Sequence, residues 1–325
     1  MKLLRKILTV VVVEIILLTA VLWWLLGPVA GKSQPQIWTV PEDPRGFDAV
    51  QALKEQQLIR SAPAFRLLMA VSGKDKAVAP GGYRLDRRMN ARQVLQKIGE
   101  TPDLLWVTIS GCRRREEIAE MIDQVLGWSQ EKIRQWNEAY TKLGDEYKEG
   151  VYYPDTYLLP TDESGAQIAE RFIDHFNEKF SPLSDDFAKA NIKWTTGLKI
   201  ASLIAREAAG PQDMALISGI IWNRLNQGMK LEIDATMQYT LGKHAAGGWW
   251  GGIDLSEKRS SSPYNTYIYK GLPPTPICSP GIEAIRAALT PQETDCLYYL
   301  HDRNRQIHCG RTYEEHKVNI RTYLM

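Results

Sequence analysis

The strongest feature of the hydropathy pattern lies at the start of the chain. A basic tip, Met1-Lys2-Leu3-Leu4-Arg5-Lys6, precedes an almost unbroken apolar run from Ile7 to Ala30. About 20 apolar residues cross a bilayer core about 30 Å thick, so this run is long enough to span one. It is too long for the core of an ordinary signal peptide, and Pro28 sits badly for a small-x-small cleavage site. The pattern therefore predicts an uncleaved anchor. Cations are retained on the cytoplasmic side, which puts Lys2, Arg5 and Lys6 inside, the remainder of the chain outside, and Trp23 and Trp24 at the far interface. Glu14 interrupts the run. A charge within a span is costly, so this carboxylate either snorkels or protonates near the cytoplasmic interface, or pairs with a partner helix.

After a short polar linker, Gly31 to Gln36, the periodicity changes repeatedly. Ile37-Trp38-Thr39-Val40 reads as a strand. Phe47 to Gln57 has helical spacing, with Val50, Leu53 and Leu58 on one side, and Ala64 to Val71 is a second helical run. Gly81-Gly82-Tyr83-Arg84-Leu85 reads as a turn into a strand. Asn90 is placed to cap a helix carrying Val94, Leu95 and Ile98. The β-rich run Leu104 to Ile109 opens a second part, with helices expected over about 116–125 and 130–139. Beyond these the chain is mostly helical to about Met237 and loop-rich from Gly242 to Gly281. A helix near Ile282 to Leu289 and a strand at Leu297-Tyr298-Tyr299-Leu300 complete it. The whole is α+β, long enough for two domains, with the long loops as the expected functional region.

Composition adds little beyond this. With 44% hydrophobic and 24% charged residues the chain is of ordinary globular type, and a net charge of +2 demands no nucleic-acid partner. The four cysteines, Cys112, Cys278, Cys296 and Cys309, allow three disulfide connectivities in an oxidising compartment. A hairpin centred on Asp302-Arg303 would set Cys296 opposite Cys309. No C-x-x-C or His/Cys metal spacing is present, so neither a structural metal nor an organic cofactor is expected.

The segment from Thr195 to Pro211 offers the clearest chemistry. Thr195 or Thr196 is placed to start a helix and Gly210-Pro211 to stop it. Glu207 follows Ile200, Leu203 and Ile204 by seven, four and three residues, which puts its carboxyl on the apolar face. It also lies in the last turn, where the helix dipole disfavours negative charge. Both effects raise a carboxyl pKa, and a carboxylic acid kept protonated near neutrality is a proton donor for a glycosidic oxygen. The plain alternative is a helix-end glutamate paired with Arg206.

Other polar positions gather downstream. Asn223 and Arg224 close the next helix, Met214 to Gln227; Asn223 faces inward, where it serves either packing or substrate. Glu232, Asp234, Thr236 and Tyr239 follow, then Ser261 to Tyr267 and the proline-stiffened Gly271 to Pro276. Hydrogen bonders beside flat rings suit sugar recognition, and they equally suit a rigid structural loop. The glycine-rich stretch His244 to Gly252 presents Trp249 and Trp250 to stack on sugars, touch the membrane or fold back on the core.

Taken together these motifs resemble the endolytic murein transglycosylase family (MltG, YceG-like). Glu149-Gly150-Val151-Tyr152-Tyr153-Pro154-Asp155-Thr156-Tyr157 matches its E-G-x-x-x-P-D-T-Y signature. Ala201-Ser202-Leu203-Ile204-Ala205-Arg206-Glu207 matches its A-S-[IL]-[IV]-x-[KR]-E helix. Asn223-Arg224-Leu225, Gly228-Met229, Leu231, Asp234, Thr236 and Tyr239 match a third segment, and Ser262 to Tyr267 and Gly271 to Ile277 match two more. Several long motifs in order carry far more weight than one short pattern. The chain departs from the family at Ala205, where many members carry another Glu, at Cys278-Ser279-Pro280 for Ala-Asn-Pro, and at Ile307-His308-Cys309-Gly310 for His-x-Phe-Ser.

The resemblance implies a membrane anchor at residues 1–31, a small LysM-like α+β glycan-binding unit at 32–100 and a larger α+β catalytic domain at 101–325. It implies single-pass insertion in the cell membrane, N-terminus cytoplasmic and catalytic domain on the periplasmic side. Glu207 becomes the acid/base of a lytic transglycosylase cutting the MurNAc-GlcNAc bond of nascent peptidoglycan strands. Candidate substrate-binding residues are Asn223, Arg224, Asp234, Thr236, Tyr239, Ser262, Tyr264, Asn265 and Tyr267. Expected partners are glycan strands, the membrane and cell-wall synthesis proteins. The rival readings are a hydrolase that pairs Glu207 with Asp234, a non-catalytic glycan-binding scaffold, and a Ser-His hydrolase on Ser202, for which no G-x-S-x-G elbow is present.

Overall fold

A computed structural model of the chain describes residues 2–32, 34–73, 77–142, 149–244 and 248–325. Helix α1 (Lys2–Leu25) contains an apolar membrane-length stretch, Arg5–Leu25, of 21 residues. At 1.5 Å per residue it is about 31 Å long, close to a bilayer core. Glu14 is the tenth residue of this stretch.

The chain divides into two compact units, the first comprising Met1–Val107 and Tyr157–Asp162. After α1 it runs β1 (Gln36–Val40), α2 (Ala49–Glu55), α3 (Ala62–Val71), β2 (Gly81–Leu85), α4 (Ala91–Ile98) and β3 (Leu104–Thr108). Each of these three helices starts on a side-chain cap. Asp48, Ser61 and Asn90 accept backbone N–H groups of the first turn, and Asn90 and Gln93 form a reciprocal capping box. The strands β1 and β2 are antiparallel, with Trp38 opposite Tyr83. Both rings are fully buried and their centroids lie 5.7 Å apart. Leu53, Leu58, Phe65 and Val94 close this core from the helices and their connections. Gly81 has φ +143°, and a Cβ there would sit 2.6 Å from the Leu104 carbonyl oxygen, so only glycine lets β2 approach β3. The sheet order is β1-β2-β3-β4, with β4 (Thr156–Pro160) at the edge. The sequence pattern did not mark β4: Thr156-Tyr157-Leu158-Leu159-Pro160 lacks alternation and ends in proline, which an edge strand tolerates.

The second unit comprises Thr108–Thr156 and Glu163–Met325. Its helices are α5 (Arg115–Leu126), α6 (Gln130–Lys142), α7 (Gly165–Phe180), α8 (Ser184–Lys189), α9 (Trp194–Glu207), α10 (Met214–Asn226), α11 (Asp234–Leu241) and α12 (Ile282–Leu289). A hairpin of β5 (Tyr298–His301) and β6 (Ile307–Gly310) and helix α13 (Tyr313–Tyr323) complete it. Trp136 stacks on Tyr152 at 4.7 Å and meets Phe172 edge-on at 5.6 Å, forming one aromatic core. Helix α9 packs against α10, α11 and α12, which explains why nearly all its faces are apolar. It begins at Trp194, so Thr195 and Thr196 lie inside the first turn and the N-cap, Lys193, makes no side-chain cap. A Cβ on Gly219 would meet the Gln292 carbonyl oxygen at 2.2 Å. Glycine there lets the segment leading into β5 lie directly on α10.

Both disulfides lie in this unit. Cys296–Cys309 fastens the hairpin, where β5 and β6 pair with Tyr299 opposite Cys309. Cys112–Cys278 joins residues 166 apart, beside an antiparallel bridge between Arg113 and Ser279.

Candidate active site

Helix α9 stops at Glu207 because Ala208 has already turned to extended backbone, φ −67° and ψ 136°. Ile200, Leu203 and Ile204, all fully buried, anchor the face from which Glu207 projects. Just beyond, the buried carboxylate of Asp213 accepts the N–H groups of Ala209 at 3.0 Å and Gly210 at 3.2 Å. The same carboxylate holds His301 Nε2 at 2.6 Å. Asp213 thus ties the turn after α9 to strand β5. Residues two apart on a strand share a face, and Tyr299, on the same face as His301, donates its hydroxyl to Glu207 Oε2 at 2.6 Å.

The Glu207 carboxyl is held above its ordinary range, chiefly by burial. The Tyr299 hydrogen bond pulls it down, the charge of Asp234 pushes it up, and His301 and Arg206 lower it. Part of its surface opens on a cleft, yet protein surrounds it closely enough for desolvation to prevail. The helix-end position acts in the same direction. Burial also keeps the Tyr299 hydroxyl well above its usual value, so it remains a protonated donor.

The cleft has a volume of about 440 Å³. Glu207, Arg224, Asp234 and Tyr267 line it together with Tyr299, and Tyr298, Tyr313 and His316 form a further wall. Asp234, the first residue of α11, accepts the Tyr267 hydroxyl, and Lys258 Nζ lies 3.0 Å from the same oxygen. Arg224 donates to the carbonyls of Leu297 at 2.6 Å and Leu231 at 2.8 Å, with its guanidinium 5.0 Å from the Tyr298 ring centre. It therefore joins α10 to β5 while keeping a positive charge at the cleft.

The remaining candidates lie in the scaffold around this cleft. Asn223 donates to the carbonyls of Thr294 and Cys296, at 2.7 and 3.2 Å. Thr236 is fully buried, donates to the Ile233 carbonyl at 2.7 Å and meets the Thr266 hydroxyl at 3.0 Å. Asn265, also fully buried, donates to Lys258 and Ser260 carbonyls and accepts from Tyr267 N–H. Ser262 meets Thr240, and Tyr264 meets Thr275 while its ring lies 5.0 Å from that of Tyr239. Ser202 is fully buried and occupied within α9 and by the Ile277 N–H.

A second charged group gathers around Glu149, which is 1% exposed. Its carboxyl accepts from Gly150 N–H at 3.2 Å and, at 3.4 Å, from Arg115 N–H and the Tyr239 hydroxyl. Burial foremost, then the charge of Glu116, pushes it up to about 8 against the opposing pull of Arg114. The tryptophans of the glycine-rich loop fold back on α5: Trp249 donates to Glu120 and Trp250 to Glu117. The Arg206 guanidinium lies 3.9 Å from the Trp250 ring centre, so this loop packs on the residue preceding Glu207. Residues 245–247 of that loop lie outside the described residues. Sequence reasoning did not single out Asp213, Tyr299 or His301, because their signal is a meeting across the fold. Glu149 entered only as part of a motif; its position before a φ +92° glycine was the available hint.

Comparison with known proteins gives consistent results. The model of the YceG-like family matches residues 38–322. An endolytic murein transglycosylase of Bacillus subtilis (strain 168) is 27% identical over 92% of this chain and 88% of its own length. One from Streptococcus pneumoniae serotype 2 is 26% identical over 74% of this chain, which spans about half, 50%, of that relative. The 2.6 Å crystal structure of a YceG-like protein from Listeria monocytogenes superposes with a TM-score of 0.57 at 26% identity, covering 88% of this chain and 99% of that one.

Proposed function

The chain belongs to the YceG-like family, and from that premise we propose that it is a membrane-anchored endolytic murein transglycosylase with Glu207 as its acid/base. The observation that carries this reading is a carboxyl with a raised pKa, held by Tyr299 at the wall of an open cleft. A protonated Glu207 gives its proton to the glycosidic oxygen leaving C1 of N-acetylmuramic acid. The C6 hydroxyl of the same sugar forms the new bond to C1 as the glycosidic bond breaks. Its proton passes to the Glu207 carboxylate, which restores the acid. The product is a 1,6-anhydro end with no water added. Glycosidases that use water generally need two carboxylates; here one suffices, because the substrate supplies the nucleophile. Arg224, Asp234 and Tyr267 position the strand in the cleft, while Asn223, Thr236, Tyr239, Ser262, Tyr264 and Asn265 shape the walls on which it rests.

Residues 32–100 serve as the LysM-like glycan-binding unit and 101–325 as the catalytic domain. Support for the former is a closed core of its own, built on Trp38, Phe65 and Tyr83. The anchor runs N-terminus inside, in keeping with the basic tip. Two disulfides in the second unit suit an extracytoplasmic setting. Cell-wall synthesis proteins are natural neighbours for an enzyme acting on nascent strands.

Asp234 on the same cleft keeps one second reading alive, a hydrolase using Glu207 and Asp234 as a pair. Mass spectrometry of peptidoglycan treated with the protein and with Glu207→Gln decides. Anhydro ends from the unsubstituted protein alone support the lytic reaction, and ends heavier by one water support the hydrolase. Cleavage that survives the substitution removes Glu207 from the mechanism.

A further inference from the structure

The junction between the span and the first unit is a packed one. Leu26 packs against the core of the unit, and its carbonyl accepts Ala91 N–H at 2.9 Å. Val29 and Ala30 N–H groups bind the Arg87 carbonyl at 3.0 and 3.1 Å. Arg60 donates to the Pro28 carbonyl at 2.8 Å, and its guanidinium lies 4.9 Å from the Trp24 ring centre. These bonds fix the end of α1 and the residues after it to Arg60, just before α3, to Arg87, and to Ala91, at the start of α4. An apolar groove of about 640 Å³ lies between α1 and α3, with Leu22 and Trp23 of the span on one side and Leu67, Leu68 and Val71 of α3 on the other.

Helix α3 is apolar on two faces. Ala62, Ala64 and Phe65 are buried in the core, whereas Leu67 and Val71 are 56% and 79% exposed. With Pro63 and Ala70, also exposed, they make a strip at positions i, i+4, i+7 and i+8, one side of a helix. Arg66, paired with Asp48, is the one charge on this helix, and an apolar strip outside the core calls for a cover of protein or of lipid. Depth selects lipid. The groove's α1 wall begins at Thr19, six residues or about 9 Å before the end of the span. Residues facing that wall lie at the level where the hydrocarbon gives way to headgroups. Arg92 also lines the groove and makes no ion pair among the described residues.

We propose that α3 is a second, interfacial membrane element, whose Leu67–Val71 strip rests in the outer part of the bilayer beside α1, with Arg92 meeting lipid phosphate. This rests on the reading of α1 as a membrane span. Interfacial helices bury an apolar face about 5–10 Å into the headgroup boundary, which matches the depth of this groove.

The test uses the full chain in nanodiscs of mixed phosphatidylethanolamine and phosphatidylglycerol. A spin label is placed singly by Leu67→Cys, Val71→Cys, Val12→Cys within the span, and Asn304→Cys on the exposed β-hairpin turn. Accessibility to oxygen, which concentrates in lipid, is compared with that to a water-soluble nickel chelate. Positions 67 and 71 should resemble 12, with oxygen access at least several-fold above nickel access, and 304 should show the reverse. Nickel access at 67 and 71 equal to that at 304, with 12 still in lipid, overturns the interfacial element alone. Protection of 67 and 71 from both reagents also overturns it, because protein then covers the strip. Nickel access at position 12 overturns the span and the proposal together.

Discussion

Tyr299 and Glu207, 92 residues apart in sequence, meet through a 2.6 Å hydrogen bond at the wall of the cleft. Two opposing influences converge on one carboxyl there. Burial favours its neutral form, and the tyrosine hydroxyl favours its ionised form. A group that must give a proton and then take one back is well served by such opposition, since neither state is held too firmly.

Replacing the carboxyl removes the proton donor while keeping its shape. Glu207→Gln should lower release of anhydro ends by about 10²–10⁴-fold, the usual share of general acid–base catalysis. Its melting temperature should stay within a few degrees of the unsubstituted protein. Full activity in this variant would show that the proton comes from elsewhere.

Activity that needs protonated Glu207 falls as pH rises through its pKa. The Tyr299 bond lowers that pKa, so Tyr299→Phe should raise it and carry the alkaline limb of the rate profile to higher pH. An alkaline limb that moves down instead would contradict the influence assigned to Tyr299.

The charge of Asp234 acts the other way, raising Glu207. Asp234→Asn should therefore move the alkaline limb to lower pH while the products keep their anhydro ends. Complete loss of cleavage, with substrate binding preserved, would favour the paired-carboxylate hydrolase.

Glu149 supplies a stability test. Its folded value of about 8 exceeds that of an unfolded glutamate, about 4.3. The folded state holds a proton that the unfolded chain releases between those values. This contribution is fully present below about pH 4.3 and is lost as pH rises through 8. Glu149→Gln should flatten the pH dependence of melting across that window and raise the melting temperature at pH 8 to 9. Each kcal/mol regained corresponds to roughly 2–4 °C for units of 150–250 residues. Parallel melting profiles for the two proteins would contradict the assignment.

The disulfides differ in the length of chain they close, 166 residues for Cys112–Cys278 and 13 for Cys296–Cys309. Loop-closure entropy gives about 5 and about 3 kcal/mol respectively. Chemical denaturation of the paired serine variants should rank them in that order, and the reverse order would show that strain or residual structure dominates.

Local pattern made some elements legible and left others hidden. Helix α9 and its inward-facing Glu207 follow from apolar spacing, and α12 occupies the expected residues 282–289. Strand β6 has no strand pattern of its own in Ile307-His308-Cys309-Gly310; only the hairpin expected around Asp302-Arg303 pointed to it, and the structure has that hairpin with Cys296 bonded to Cys309. The polar motifs were harder still. Asn223 and Arg224 are neighbours on one helix end, yet Asn223 turns to the carbonyls of Thr294 and Cys296 while Arg224 lines the cleft. Sequence shows that a polar side chain needs a partner; the fold decides whether that partner is a carbonyl or open space. The same limit hid Tyr299, which reads locally as one ring in a β-rich stretch.

The Cys112–Cys278 bridge also bears on what a protease could do to this molecule. Glu207 and the exposed loop around Leu255 lie inside the segment it closes, and Tyr299 and His301 lie outside it. A nick in that loop would leave an anchored piece carrying Glu207 and a second piece carrying Tyr299, still covalently joined. Clipped protein would then run as one species until a reductant was added, and its two halves would stay together at the membrane.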